Sequence, residues 1–246
     1  MKRLHVIVII SVAVVFAGVL ALAPLARKQY RVYALRERLQ EAIARDAGYT
    51  ETILKIEKDA PAVTYQEVFD LCDKSVSKRT DLISEVRGLY PDLDTAAKQK
   101  VIDYLNAVNG FVRCKKAFFA AHFKLSKMLD TKAQYLRRSD EYHASLESDI
   151  RRRDTDSGFA HLNAWKALIR EGSQFESQIP SSRAEVVSTA DAYTEACNEL
   201  ADIESESEKA LRLASIPFKP IFRAYHRRSV EDAQKQKQKA QAPAKL

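Results

Sequence analysis

Five histidines and three cysteines are the residues of this 246-residue chain best suited to hold a metal or act as a nucleophile. His5, His122, His143, His161 and His226 stand apart, and none forms H-x-x-x-H or H-E-x-x-H, so the spacing gives a zinc site no support. Glu141 and His143 lie two apart, which on a helix sends them to different faces. Cys72, Cys114 and Cys197 are odd in number and contain no C-x-x-C pair, so neither a metal knuckle nor a redox motif follows. An odd count suits a reducing compartment; one bridge plus a free thiol is the oxidising alternative. Cys72 and Cys197 fall on apolar helix faces and should pack as small hydrophobes. Cys114, flanked by Arg113, Lys115 and Lys116, would hold a stabilised thiolate if exposed, but its strongly apolar helix favours an inert core thiol. There is no Gly-rich phosphate loop, no G-x-S-x-G elbow and no P-loop lysine. The expectation is a protein without cofactor, metal or catalytic residue, and not an enzyme, unless distant helices assemble a carboxylate site that no motif reveals.

Two charged constellations suit contact better than catalysis. Glu195, Glu199, Asp202 and Glu206 recur at steps of four, three and four, away from a Tyr193-Cys197-Leu200 seam, and would form an acidic stripe for a basic partner or simply a solvated helix face. Phe218, Ile221, Phe222 and Tyr225 follow helical spacing, with Lys219, Arg223, Arg227 and Arg228 among them. On a helix lying in a membrane interface those residues would meet anionic lipid; alternatively the aromatics pack on the body while the cations stay wet.

The element that decides where such surfaces sit is residues 6–26, VIVIISVAVVFAGVLALAPLA, 21 consecutive residues without a charge between Lys2-Arg3 and Arg27-Lys28. As a helix it spans roughly 31 Å, enough to cross a bilayer's hydrocarbon layer. A secretory signal is the rival reading, but cleavage after Ala21-Leu22-Ala23 would leave Pro24 first, and the run exceeds the usual signal core. The expectation is therefore a single-pass anchor with membrane lipid as its partner. Basic residues after the run, Arg27 to Arg45, favour a cytoplasmic body, while the short basic head Lys2-Arg3 argues the other way.

Net charge is +7, with eight Lys/Arg against three Asp/Glu in residues 1–46 and eight against two in 219–246, but 24 against 28 between. Basic ends on an acidic-leaning body do not make a nucleic-acid groove, and no nucleic-acid partner is expected. Few glycines and spaced prolines favour helices. Leu25, Val32, Leu35, Leu39 and Ala42 continue the first helix as a stalk, with Gly48 expected to stop it. Thr64 with Glu67 forms a capping box, and Val68, Cys72, Val76, Arg79, Ile83, Val86 and Tyr90 then follow at helical steps before Pro91. Asp92 or Asp94 should cap a long central helix through Ile150, its broad face running from Val101 to Leu125. Asp154 to Gly158 reads as a loop and Phe159, Leu162, Trp165 and Ile169 as a helix ending near Gly172. Ser182 with Glu185 reads as a second capping box, opening the Val186-Ala190-Tyr193-Cys197-Leu200 helix.

Lys78 to Ile83 and Tyr90 to Leu93 resemble fragments of the LemA family, which shares an N-terminal anchor and a helical bundle. Ser84 stands where that family has proline and the fragments lie closer together, so no family is assigned. The resulting organisation is all-α, an N-terminal transmembrane helix followed by an elongated antiparallel helical bundle or coiled coil. Its parts are an anchor at 1–26, a stalk helix at 27–48, the bundle at 49–216, the basic aromatic segment at 217–232 and a disordered polar tail at 233–246. Such an object is expected at a membrane as a scaffold or adaptor with an unidentified protein partner or a second copy of itself; a sensory or ligand-binding bundle is the alternative.

Overall fold

The computed structural model describes the backbone of residues 2–58, 64–93 and 95–242, and the side chains of 22–54, 64–93 and 95–242. All of its regular structure is helical: α1 (Lys2–Lys58), α2 (Tyr65–Gly88), α3 (Ala96–Arg152), α4 (Thr155–Leu213) and α5 (Arg223–Gln241). Among the described residues no helix is long and apolar enough to cross a membrane. Most of the 6–26 run has its side chains outside that set, so the anchor expectation falls largely beyond it.

Consecutive helices run antiparallel, as the pairs across each interface show. Arg45 meets Glu85 at 2.8 Å and Arg31 pairs with Asp92, joining α1 to α2 and to the turn that follows it. Lys116 meets Asp73 at 2.6 Å between α3 and α2. Lys100 to Glu206, Lys124 to Glu185 and Lys132 to Glu176, each within 2.8 Å, set the α3–α4 register over most of its length. Lys237 reaches Asp191 and His226 reaches Asn198, laying α5 along α4 in the opposite sense. The core is one apolar cluster to which all five helices contribute, for example Leu39, Val86, Val108, Leu200 and Ala233. Beyond Met128 on α3 and Ile179 on α4 the other helices fall away, and the α3–α4 pair continues alone as a two-helix arm.

The α2 start follows its sequence signal: the Thr64 side chain accepts the Glu67 amide, and Glu67 accepts the Thr64 amide at 2.8 Å. At α3 the cap is Thr95, accepting from Lys98 N at 3.2 Å, while Asp92 pairs with Arg31 and Asp94 lies outside the described residues. The expected loop after Arg153 is a tight turn. Arg153 adopts φ 58, Asp154 N donates to Asp149 O at 3.0 Å, and Asp154 itself caps α4 through Ser157 N. That αL residue closes a Schellman-type end and reverses the chain within two residues.

Three boundaries differ from the sequence expectation. Gly48 does not stop α1, because Asp46, Thr50, Ile53 and Leu54 around it are buried, and those contacts outweigh a glycine penalty of about 1 kcal/mol. Leu35, Leu39 and Ala42 likewise belong to the bundle core rather than to a free stalk. The helix end expected near Gly172 is absent, since α4 runs unbroken through Gly172 and Pro180, and Ser182 caps nothing; its buried hydroxyl donates to the Met128 sulfur at 3.2 Å. The tail expected to be disordered from residue 233 is helical to Gln241, because Ala233 and Ala240 lie buried at seven-residue spacing against the bundle.

Candidate functional site

The residues that sequence spacing left scattered stay scattered in space. His122 bonds Gln236 at 3.0 Å, His161 bonds Asp149 at 2.6 Å, His226 bonds Asn198 at 2.9 Å, and His143 packs edge-on to Trp165. His5 lies outside the described side chains. No group of His, Cys, Asp and Glu among the described residues could hold a metal ion. The three thiols are free. Burial pushes Cys72 and Cys197 up to about 11. Cys114 is half-buried, and burial followed by the Glu199 and Glu195 charges pushes it up as well, so its basic neighbours in sequence do not favour a thiolate. Lys116 is turned to Asp73 and Lys115 is turned inward.

Where the structure does concentrate polar groups is inside the bundle. Arg79 is fully buried; its Nε donates to Asp46, its two terminal nitrogens to Asn109 Oδ1 and Thr50 Oγ1 at 3.2 Å each. Tyr104 bonds the same carboxylate. Burial pushes the Asp46 carboxyl up, opposed by the Arg79 charge and by both hydrogen bonds. This network pins α1, α2 and α3 at one level. Every arm of the guanidinium is occupied, which is what a buried ion pair needs to avoid a large desolvation cost.

A second buried carboxylate, Glu204, accepts the backbone amides of Ile221, Phe222 and Arg223 at 2.7, 3.1 and 3.0 Å. It satisfies the orphan donors at the α5 start, where Phe222 has no side-chain cap. Lys115 is buried beside the Phe111 ring and near Cys197, and burial brings its ammonium down to about 7. None of these residues was singled out as a site in the sequence. The available signal was a charge on a seam position: Asp46 continues Leu35-Leu39-Ala42, Arg79 sits between Val76 and Ile83, Lys115 follows Val108 and Val112, and Glu204 follows Leu200.

Of the expected contact residues, Glu195, Glu199, Asp202 and Glu206 are all exposed on α4, with Glu206 paired to Lys100. The basic aromatic segment is divided. Phe218 stands edge-on to Tyr104 at 5.1 Å, Phe222 edge-on to Phe111 at 5.1 Å, and Phe222 is buried. Two of its three aromatic rings, Phe218 and Phe222, are therefore packed on the bundle, and 218–225 does not present one membrane-interface face. The reason is local. Pro217 and Pro220 keep 217–221 out of a helix, so the helical spacing of Phe218, Ile221 and Phe222 never becomes a common face. Lys219, Arg223, Tyr225, Arg227 and Arg228 remain exposed, the last two paired within α5 to Glu231 and Asp232.

Two concavities are notable. A groove of about 590 Å³ runs between α1 and the 217–225 segment, walled by Ile43, Ala44, Ala47 and Ile221 and floored by Tyr104. A smaller one of about 200 Å³ lies on the arm, lined by Leu136, Leu168, Ile169 and Phe175. The arm also exposes Leu129, Leu136, His143 and Ile150 at a strict seven-residue interval.

The class defined by this arrangement is an antiparallel all-α bundle with a projecting helical arm. Comparison of the chain with protein-family models, with characterised proteins and with solved structures gives no match.

Proposed function

We propose that the chain is a membrane-anchored helical-bundle protein that acts as a scaffold or adaptor through protein contacts. The observation that carries the contact role is the arm. Leu136 is 56% exposed and Ile150 66% exposed on α3, and Ile169 is 50% exposed on α4 beside Leu136. A two-helix hairpin cannot cover such a stripe by itself, and exposed apolar faces of this kind mark interaction surfaces. The anchor role is supported by the uncharged 6–26 run, which leads in one continuous helix into the bundle. Membrane lipid is then the first partner, and the second is a protein seated on the arm.

The test has two arms. Alkaline carbonate should leave the full chain in the membrane fraction, and the mature protein should retain the 6–26 run by N-terminal mass. A photo-cross-linking residue at Leu136 should give protein adducts in membranes that one at Glu51, exposed on α1, does not. Equal adduct formation at both positions would remove the arm as the contact site.

A further inference from the structure

The end of the bundle nearest the 6–26 run is built differently from the rest of its surface. Arg31 pairs with Asp92 in the α2–α3 turn, and Pro24, Arg27, Asp92 and Leu93 line one hollow there. Arg31 is five residues past Ala26, or roughly 8 Å along a helix. That depth is within the headgroup layer of a bilayer whose hydrocarbon ends at Ala26.

The far end of α4 arrives at the same level. Because Lys100 faces Glu206 and its carbonyl accepts from Ser207, the antiparallel register brings residue 213 opposite the start of α3. There α4 closes in a Schellman turn: Ile216 N donates to Leu211 O at 2.8 Å, Ser215 takes φ 56, and Leu211 and Ile216 are both buried. The turn draws those two apolar residues inward and leaves Leu213 outside. At 88% exposed it is the most exposed large apolar side chain among the described residues. Arg212, Pro217 and Lys219, close to it in sequence, are also exposed, and on α1 Tyr30 is 71% and Tyr33 56% exposed directly after Arg27 and Lys28. Asp92 in the α2–α3 turn is paired with Arg31; Glu37, one turn past Tyr33, is exposed and hydrogen-bonded to the Tyr33 hydroxyl, and Glu206 and Glu208, one to two turns further in, are paired with Lys100 and Arg223.

From this geometry we propose that the end face is a second, peripheral membrane contact. Leu213 enters the headgroup–acyl boundary as an apolar wedge, Tyr30 and Tyr33 occupy the interface, and Arg27, Lys28 and Arg212 meet anionic headgroups. The partner is the lipid surface itself. An exposed leucine next to Arg212, at the same end of the bundle as two exposed tyrosines that follow Arg27 and Lys28, is the chemistry that such a surface rewards. The inference rests on the anchor reading and replaces the aromatic stripe of 218–225, whose Phe218 and Phe222 rings are packed on the bundle, as the lipid-facing element.

The full chain is reconstituted in phosphatidylcholine vesicles with and without phosphatidylserine. An environment-sensitive fluorophore is attached at L213C, or at A144C near the arm tip as the distant control, with C114S in both. Headgroup-level nitroxide lipids should quench the Leu213 probe at least about twofold more than the Ala144 probe, and more so with phosphatidylserine present. Equal quenching at the two positions in carbonate-resistant protein would overturn the end-face contact while leaving the anchor intact. Carbonate extraction of the protein would overturn both.

Discussion

Arg79 of α2 donates to Asp46 of α1 at a place where both side chains are closed off from water. The pair is held from a third side by Asn109 of α3, so its geometry fixes how three helices meet. Apolar packing alone tolerates sliding by one heptad, whereas an ion pair in which each guanidinium nitrogen has its own partner does not.

Asp46→Asn leaves the guanidinium buried against a neutral partner. It should destabilise the chain by about 3–5 kcal/mol, whereas the double replacement Asp46→Leu with Arg79→Met should recover much of that loss. Urea unfolding followed by circular dichroism distinguishes the two. A single variant as stable as wild type would show that the pair is not structural.

Lys115 gives the clearest pH signature. Its pKa falls from 10.5 to about 7 on folding, so the unfolded chain binds more protons between those values. Stability from this group therefore rises as pH climbs from about 7 towards 10.5, and is lost as pH falls through 7. Lys115→Met should be more stable than wild type at pH 7, by about 1–4 kcal/mol, and the difference should shrink on going to alkaline pH. Parallel denaturation curves of the two proteins across pH 6 to 10 measure it; a constant difference would sink the assignment.

Glu204 bears on α5 alone. Burial pushes its carboxyl up, against the pull of the three amides, so the folded chain holds this proton to higher pH than the unfolded one. The group's contribution is then largest at acid pH and is lost as pH rises through the raised folded value. Glu204→Gln can offer only one oxygen to three donors and turns an amide group towards them. Amide exchange of residues 221–226 and of α5 should accelerate at least about tenfold in that variant, with α2 unaffected.

The two capping boxes of the sequence should behave oppositely. Thr64→Ala removes a cap and should cost about 1 kcal/mol. Ser182→Ala removes only a hydroxyl–thioether contact and should stay within about 0.5 kcal/mol of wild type. Pro180→Ala, which restores a helix amide, should stabilise α4 by about 1–3 kcal/mol, read as a rise in the thermal midpoint.

The seams were readable because helix burial leaves a period in the apolar residues. Cys72, Val86, Val186, Ala190, Tyr193, Cys197 and Leu200 are buried where that period puts them. The ends of elements were read less well wherever a distant contact outweighed a local preference, as at Gly48, Pro180 and Ser182. Thr95 holds the cap of α3, while Asp92 pairs with Arg31, a residue 61 positions away and invisible to local pattern. The buried charges shared the period of the seams, but a charge on a seam is identified as buried only once its partner helix is known. Asp46 needs Arg79, and Glu204 needs the proline-interrupted segment that brings three amides to it.

The length of α3 sets a distance as well as a surface. Its 57 residues measure about 85 Å, with the α2–α3 turn at one end and Arg152 at the other. In an anchored chain the arm then acts as a ruler: whatever binds at Ile150 is held many times farther from the bilayer than the headgroups extend, and shortening α3 and α4 by matched heptads would draw it in by about 10 Å per heptad without changing either binding face.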